Sequence, residues 1–455
     1  MPAKNMNDLV ALCKRRGFVF GGSEIYGGMQ GLYDYGPNGV ELMRNIREAW
    51  WNAMVYQRDD VDGLEASLIS SRLLWKYSGH EGSFSDPLVV CKKCGHRMRE
   101  DNMKDKTKCE KCGATDLSEP RDYMLMMGLA IGATADGAVN AYLRPETATT
   151  TYTNFRNVMD SSARKLPFGL VQIGKAFRNE IAPRNFVFRT REFEQAELQY
   201  FIDPKTTDDM QCWEDWKKTR LDWWVNVLGI PADKFRFLPH EKLVFYAKAA
   251  ADIEYNFPDG FGEVEGIHNR QDYDLGSHTK SQDEFDIKAK VQKNTDSTTK
   301  LNYVDPNTGE SFIPFVIETA MGVGRAMMAV LDNAYTEEDL GDGKSRVVLK
   351  MKPALSPIKA AVIPLARNAP ELLALAEGVE KDLRALSLGR IVIENSGNIG
   401  KNYRRHDEIG TPVCITIDHQ SLEDGMATLR DRDTMEQTRV KIADIPAAVA
   451  KIIRG

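Results

Sequence analysis

The chain has 455 residues, long enough for two to four domains. Its composition is 42% apolar and 28% charged, ordinary for a globular protein with ample material for a core. The net charge of −6 argues against indiscriminate nucleic-acid binding and leaves room only for local basic patches, at Lys14-Arg15-Arg16 and at Lys401-Asn-Tyr-Arg404-Arg405. MPAKNMNDLVALCKRRG lacks an apolar core followed by a small-residue cleavage site. The most apolar long run, FIPFVIETAMGVGRAMMAVL, contains Glu318 and Arg325 and does not read as a membrane span. The expectation is a cytoplasmic protein without membrane contact.

In chain order, a helix over 7–16 is followed by SEIYGGMQGLYDYGPNG, whose glycines suit turns and short strand, and Pro37 leads into a helix over 40–55. Cys91-x2-Cys94-x14-Cys109-x2-Cys112 offers four soft thiolates at the spacing of a tetrahedral zinc site. Four protein ligands leave no open position, so the metal is expected to be structural, and the polar surroundings make binding a source of folding energy. Cys13, Cys212 and Cys414 are expected as core or near-surface thiols. LRPETATTTYTNF precedes two extended runs, 169–180 and 187–201, joined by IAPRNF as a long antiparallel hairpin. A helix over 206–227 carries Trp213, Trp216, Trp223 and Trp224, a spacing suited to packing. After the polar segment GEVEGIHNRQDYDLG, SFIPFVIETAMGVGRAMMAVLDNAY reads as strand, glycine turn and helix. Gly341–Gly343 and Pro353–Pro357 bracket an expected linker, beyond which strands alternate with helices as in a separate α/β domain.

The hairpin FRNEIAPRNFVFRTREFEQAELQYF carries the most chemistry. Side chains two apart share a strand face, which groups Arg178 with Glu180 and Arg189 with Arg191, Phe193, Gln195 and Glu197. Such a face is cationic at one end, aromatic in the middle and anionic at the other. A solvated face of mixed charge has the same composition, so the hairpin gains meaning only beside other features. In MGVGRAMM, Gly322 and Gly324 precede Arg325 at a helix start, where backbone N–H groups and a guanidinium can meet phosphates.

Together these segments resemble the class II aminoacyl-tRNA synthetases. FRNE, loop and RTREF match the family's second motif, GVGR with the following helix matches the third, and YDYGPNGVELMRNIREAWW resembles the first, which builds a dimer interface. Within the class the resemblance is to homodimeric glycyl-tRNA synthetases, through GGSEIYGGMQGLYDYGPNGVEL, YSGHEGSF, RPETA, the whole hairpin and NIGKNYRRHDEIGTPVCITID, and it runs nearly end to end. It implies an antiparallel class II sheet flanked by helices over 1–345, a zinc-knuckle insertion over 88–120 and an α/β anticodon-binding domain over 356–455. The implied reaction joins glycine to ATP as an adenylate and passes glycine to tRNA(Gly), with Mg²⁺ assisting and Zn²⁺ structural, in a homodimer.

Carried over by position, the resemblance gives Arg178 the α-phosphate, Glu180 and Phe193 the adenine, and Arg189 and Arg325 the distal phosphates. Arg178 and Arg325 are thus the implied catalytic pair. Glu263 would position Mg²⁺ or ATP, and Asn179, Phe188, Val264, Gly322 and Gly324 complete the implied ATP set. Glu146, Glu197 and Glu318 would cage the glycine ammonium, with Phe193, Gln195 and Ala320 around it and Arg270 and Arg99 as partners of the carboxylate. Lys401, Arg404 and Arg405 are the implied RNA contacts. The chain departs from the pattern at Thr149-Thr150, where the family has Gln-Gly, at Ala320, where it has serine, and at Met321, larger than expected. Two other readings fit parts of the pattern: a class II synthetase for another small amino acid, and a non-catalytic relative that binds nucleic acid.

Overall fold

The computed structural model describes residues 2–3, 5–133, 138–183, 185–243, 246–366 and 368–455. Among them, seven strands form the sheet on which the site is built: β1 (Val61–Gly63), β2 (Phe168–Phe177), β3 (Glu192–Ile202), β4 (Phe235–Pro239), β5 (Ala249–Phe257), β6 (Gly260–Gln271) and β7 (Phe315–Gly322). Their order is β4-β5-β6-β7-β3-β2-β1, antiparallel except for the β1–β2 edge. The expected hairpin is β2–β3, paired from Phe168↔Phe201 to Phe177↔Glu192. Its loop is longer than the sequence suggested. Asn185 and Phe186 take left-handed conformations and lead into a short turn, Phe186–Phe188, so β3 starts only at Glu192.

One face of the sheet is a helix-covered core. Helix α1 (Met6–Arg15) is capped by Asn5, whose side chain accepts from the Asp8 amide, and buries Leu9, Leu12 and Cys13. Helix α2 (Pro37–Trp51) has proline in its first turn, where a missing N–H costs nothing. It buries Leu42, Met43, Ile46 and Trp50, and a Cβ on Gly39 would stand 1.9 Å from the Phe18 carbonyl oxygen, so only glycine fits there. Helix α3 (Asp209–Asp222) and the turn after it place all four expected tryptophans in the core. Helix α4 (Val323–Ala334) follows β7 directly and is buried along most of its length. Within this apolar layer the fully buried Arg220 guanidinium meets Glu265 at 2.5 Å, and the Trp224 indole N–H donates to the same carboxylate at 2.7 Å.

The cysteine knuckles lie in the connections of a small sheet of Ser85–Val90, Arg97–Arg99 and Arg121–Met124, whose outer strands extend past the expected 88–120. The segment that Gly341–Gly343 and Pro353–Pro357 bracket, expected as a linker, begins instead as a β-ladder: Gly341–Gly343 is the turn between Tyr335–Asp339 and Ser345–Leu349, and both glycines take positive φ, which made a tight turn look like a flexible joint. The C-terminal domain has a five-stranded sheet, ordered Ile391–Ile393, Ala360–Pro364, Val413–Ile417, Met426–Asp431 and Gln437–Lys441, with the first three strands parallel. It is joined tightly to the rest. Arg346 of the ladder is buried, 3.1 Å from Asp407 of helix α5 (Ile399–Ile409), and also donates to the Arg432 carbonyl. Glu408 on the same helix pairs with Arg15 and Arg16 at the end of α1.

Candidate active site

The uncovered face of the sheet floors a cleft. Alternation along β3 points Phe193, Gln195 and Glu197 into it, and the register sets Gln195 opposite Gly322 and Glu197 opposite Ala320 on β7. On the far side of β7, His268 of β6 lies opposite Glu318. Met321, the next residue along β7, turns to the helix side and is fully buried there, so its size does not narrow the cleft. Two irregularities in β6 matter. The register slips beside Val264, between Ile253↔Glu265 and Glu254↔Glu263. Glu263 therefore lines the cleft while Glu265, two residues on, points to the core. A second slip, between Asn269 and Gln271, leaves Arg270 outside the ladder and directed at Glu318.

At one end of the cleft three glutamates converge. Glu146 leaves the strand Val139–Leu143 through Arg144, whose guanidinium donates to the Lys175 and Ala66 carbonyls and to Gln172. Gly174 makes room for that guanidinium: a Cβ there would stand 2.1 Å from Arg144 Nη2. Glu146 Oε1 accepts from the Thr149 hydroxyl at 2.5 Å and from its amide at 3.3 Å. Glu197 accepts from the Thr147 hydroxyl at 2.5 Å. Glu318 accepts from Gln199 Nε2 at 3.2 Å and Arg270 Nη1 at 3.0 Å; His268 Nδ1 lies 3.0 Å from it but off the hydrogen-bonding direction.

Their titration differs accordingly. Burial, with Glu318 and Glu146 nearby, pushes the Glu197 carboxyl up to about 8. Burial also opposes ionisation of Glu318, but Arg270 and His268 outweigh it and hold that carboxyl near 2. Glu146 is likewise held low against burial, chiefly by His80. Two ionised carboxylates and one largely protonated at neutral pH form a pocket suited to a small cation.

The other end is cationic. Arg178 donates from Nε to the Pro145 carbonyl at 3.1 Å, and its guanidinium lies between the rings of Phe84 and Phe193, 5.3 and 5.1 Å away. Arg189 lies 3.9 Å from Glu180. Arg325, in the first turn of α4, donates to the Phe188 and Glu263 carbonyls and pairs with the Glu263 carboxylate at 3.1 Å, which keeps that carboxyl low. A helix N-terminus beside three arginines is an anion site. A cation pocket and an anion site thus share one cleft, with an aromatic ring between them.

Residues 133–334 match the model of the tRNA synthetase class II core domain (G, H, P, S and T), and residues 359–452 match the anticodon binding domain. The glycine–tRNA ligase of Deinococcus radiodurans is 46% identical with both chains covered in full. This chain belongs to the glycine–tRNA ligase family. The ligase of Thermus thermophilus is also 46% identical, with 98% of each chain covered, and that of Borreliella burgdorferi is 45% identical over 97% of this chain and 96% of its own. A prolyl-tRNA synthetase structure from Cryptosporidium parvum superposes with a TM-score of 0.63 at 16% identity, covering 98% of this chain and 75% of that one, a likeness of fold.

Within this class II ligase, the cleft gathers Arg178, Glu180, Phe188, Arg189, Phe193 and Glu263 with Gly322, Gly324 and Arg325, and the three glutamates with Gln195, Arg270 and Ala320. Other expected residues lie elsewhere. Arg191 sits outside the cleft, donating to the Gln30 and Glu180 carbonyls, because the turn before β3 resets the alternation assumed for the hairpin. Asn179 donates its backbone N–H to the Leu125 carbonyl, and Val264 is buried in the core. Arg99 is held by Asp86 at 2.9 Å and by Asp101 in the cysteine module, away from the cleft lining. Arg270 lines the cleft and donates three of its five guanidinium N–H groups to protein carboxylates: Nε and Nη2 to Asp274, Nη1 to Glu318. Its Nη1 bond orients Glu318. Tyr35, Tyr246 and His268 line the cleft unanticipated. Period-two spacing from Arg270 could have found His268; nothing in the local sequence of Tyr246 announces it.

The cysteine module fits a metal. All four Sγ atoms lie within 4.8 Å of one another, with Cys91–Cys112 at 3.6 Å and Cys94–Cys109 at 3.7 Å. Thiolates around a tetrahedral ion at roughly 2.3 Å stand about 3.8 Å apart, whereas a disulfide needs about 2 Å. Gly95 and Gly113, each following a knuckle, take the positive φ that the tight turns require. In the anticodon-binding domain, Lys401 is exposed, Arg404 reaches Asp407 at 3.3 Å and Arg405 bonds Glu394 at 2.6 Å. All three lie on α5, the helix that also meets the catalytic body. Among the described residues no helix is long and apolar enough to cross a membrane.

Proposed function

We propose that this cleft condenses glycine with ATP and hands the glycyl group to tRNA(Gly), with its two charged ends dividing the work. The observation that carries the reading is the convergence of Glu146, Glu197 and Glu318 at one end of a cleft whose other end presents Arg178, Arg189 and Arg325. Glycine has no side chain to grip, so its ammonium must supply the binding energy, and carboxylates around one ammonium do so through charge-assisted bonds. Larger amino acids are rejected by the crowding of Gln195, Ala320 and Glu197 on adjacent strands. An excess methyl in a filled pocket costs roughly 1–3 kcal/mol.

In the first step a glycine carboxylate oxygen attacks the α-phosphorus of ATP; the bond to the bridging oxygen breaks and pyrophosphate leaves. Arg178 stabilises the charge at the α-phosphate, Arg189 and Arg325 that on the departing group, and Phe193 supports the adenine. In the second step a hydroxyl of the terminal ribose attacks the carbonyl carbon of the adenylate and AMP leaves. Neither step needs a protein nucleophile. Glu263, which lines the cleft beside Arg325, would offer oxygen donors to Mg²⁺, which when bound would supply positive charge to the polyphosphate. Zn²⁺ suits the four thiolates as a structural ion. The exposed Lys401, with Arg404 and Arg405, is our candidate for contact with RNA. The first-motif helix α2 is our candidate for a homodimer interface, and a cytoplasmic location follows from the chemistry of translation.

Amino-acid-dependent ATP–pyrophosphate exchange with each of the twenty amino acids tests this reading. Glycine alone should support rapid exchange; comparable turnover with alanine or serine would overturn the ammonium-cage argument.

A further inference from the structure

The segment Tyr77–Phe84, YSGHEGSF, passes behind the acidic end of the cleft, and none of its residues lines the cavity. Gly79 takes a left-handed conformation between the helices Arg72–Tyr77 and His80–Ser83, and the turn directs His80 inward. The imidazole is buried, only 7% exposed, and packs against the rings of Trp75 and Phe84 at 5.2 and 5.3 Å. Its Nδ1 lies 2.8 Å from Ser78 Oγ and its Nε2 lies 3.3 Å from Glu146 Oε2. The other oxygen of that carboxylate is held by Thr149.

We propose that His80 is a positioning residue for glycine recognition, holding the second oxygen of Glu146 so that the carboxylate stays turned toward the substrate ammonium. This rests on the reading of Glu146 as part of the ammonium cage. A glutamate's terminal torsion is broad, so one tethered oxygen does not fix the plane of the group. Thr149 and His80 together do. The ring is itself fixed, by aromatic contacts and by Ser78. A lone pair on Nε2 facing a carboxylate would be repelled, so Nε2 carries a hydrogen toward Glu146, while Nδ1 shares a hydrogen bond with the Ser78 hydroxyl. That hydroxyl also lies 3.3 Å from the Trp75 carbonyl, the longer of its two contacts.

Glutamine in place of His80 can set an amide N–H near the position of Nε2, whereas asparagine reaches only as far as Nδ1. Exchange kinetics of the full-length protein should therefore separate them. His80→Gln should keep the glycine KM within about twofold, and His80→Asn should raise it about tenfold, with the ATP KM unchanged in both. Equal glycine KM values in the two variants would overturn the proposal, as would a rise in the ATP KM matching that for glycine. Should His80→Asn fail to fold, Ser78→Ala takes its place: a glycine-selective rise of about threefold supports the proposal, and no change overturns it. Glu146→Gln separates the underlying reading. If it leaves the glycine KM unaltered, the cage itself is wrong; if it raises the glycine KM while His80→Asn does not, only the role of His80 falls.

Discussion

Glu197 makes the cage a proton-linked binding site, and the size of the linkage can be worked out. Its carboxyl is pushed up to about 8, from an ordinary 4.5, by burial and by Glu318 and Glu146. With the unliganded protein in that state, about one-tenth of the molecules have Glu197 ionised at pH 7 and about half at pH 8. An ammonium prefers the ionised form, so binding should expel a proton. The intrinsic glycine affinity should rise about tenfold from pH 6 to pH 7 and about fivefold more from pH 7 to pH 8. Glu318 and Glu146 are held low and stay ionised across this window, so they add no slope. Titration calorimetry with glycine at pH 7, in two buffers of different ionisation enthalpy, should show close to one proton released per glycine bound. Glu197→Gln, which resembles the protonated side chain in charge, should bind weakly and without slope. A wild-type affinity that stays flat from pH 6 to pH 8, with no buffer-dependent heat, would refute the assignment of a neutral Glu197.

Glu318→Gln should lower glycine activation by about 10- to 100-fold, the loss of a charged partner for the ammonium, while the ATP KM in the exchange assay stays near wild type. Cys91→Ser or Cys109→Ser should abolish the binding of one zinc per chain, measured by elemental analysis of unchelated protein. Arg220→Met strands the buried Glu265 carboxylate and should cost about 3–5 kcal/mol in urea unfolding; an unchanged midpoint would mean that water reaches this pair. A chain ended after Met351 removes Asp407 and the Arg432 carbonyl from the buried Arg346, and should melt at a lower temperature than the full chain in scanning calorimetry.

The glutamate trio was legible only through the family resemblance, whereas the site-facing side of β3 was legible because strand alternation carries a motif into space without further information. Phe193, Gln195 and Glu197 are two apart on β3, and the cleft receives all three. Alternation failed where the backbone left the extended state. Two left-handed residues, Asn185 and Phe186, displaced Arg191 from the cleft, and the slip beside Val264 brought Glu263 in. Positive φ also explains the misread linker, since Gly341 and Gly343 mark a tight turn as readily as a joint. Arg270 shows a different limit. A sequence shows that an arginine is near a site but not which carboxylates already hold it, here Asp274, four residues on.

The departures from the family pattern are absorbed by the same geometry. Thr149, standing where the family has glutamine, donates its hydroxyl to Glu146 and so keeps a tether on the cage. Met321 lies one step off the site-facing register and fills core space instead. Ala320 alone faces the cleft, paired between Glu197 and Gly266, and there it removes a hydroxyl without adding bulk. On the function proposed above, ordering of the substrate rests on β3. From Phe193 to Glu197 the strand advances about 13 Å, which places an aromatic support and a carboxylate at opposite ends of a molecule the length of an aminoacyl adenylate. A residue inserted between them would turn Glu197 into the core and leave its charge beside Met321. On that proposal, the order of chemical groups along this one strand is also the order in which the ligand lies.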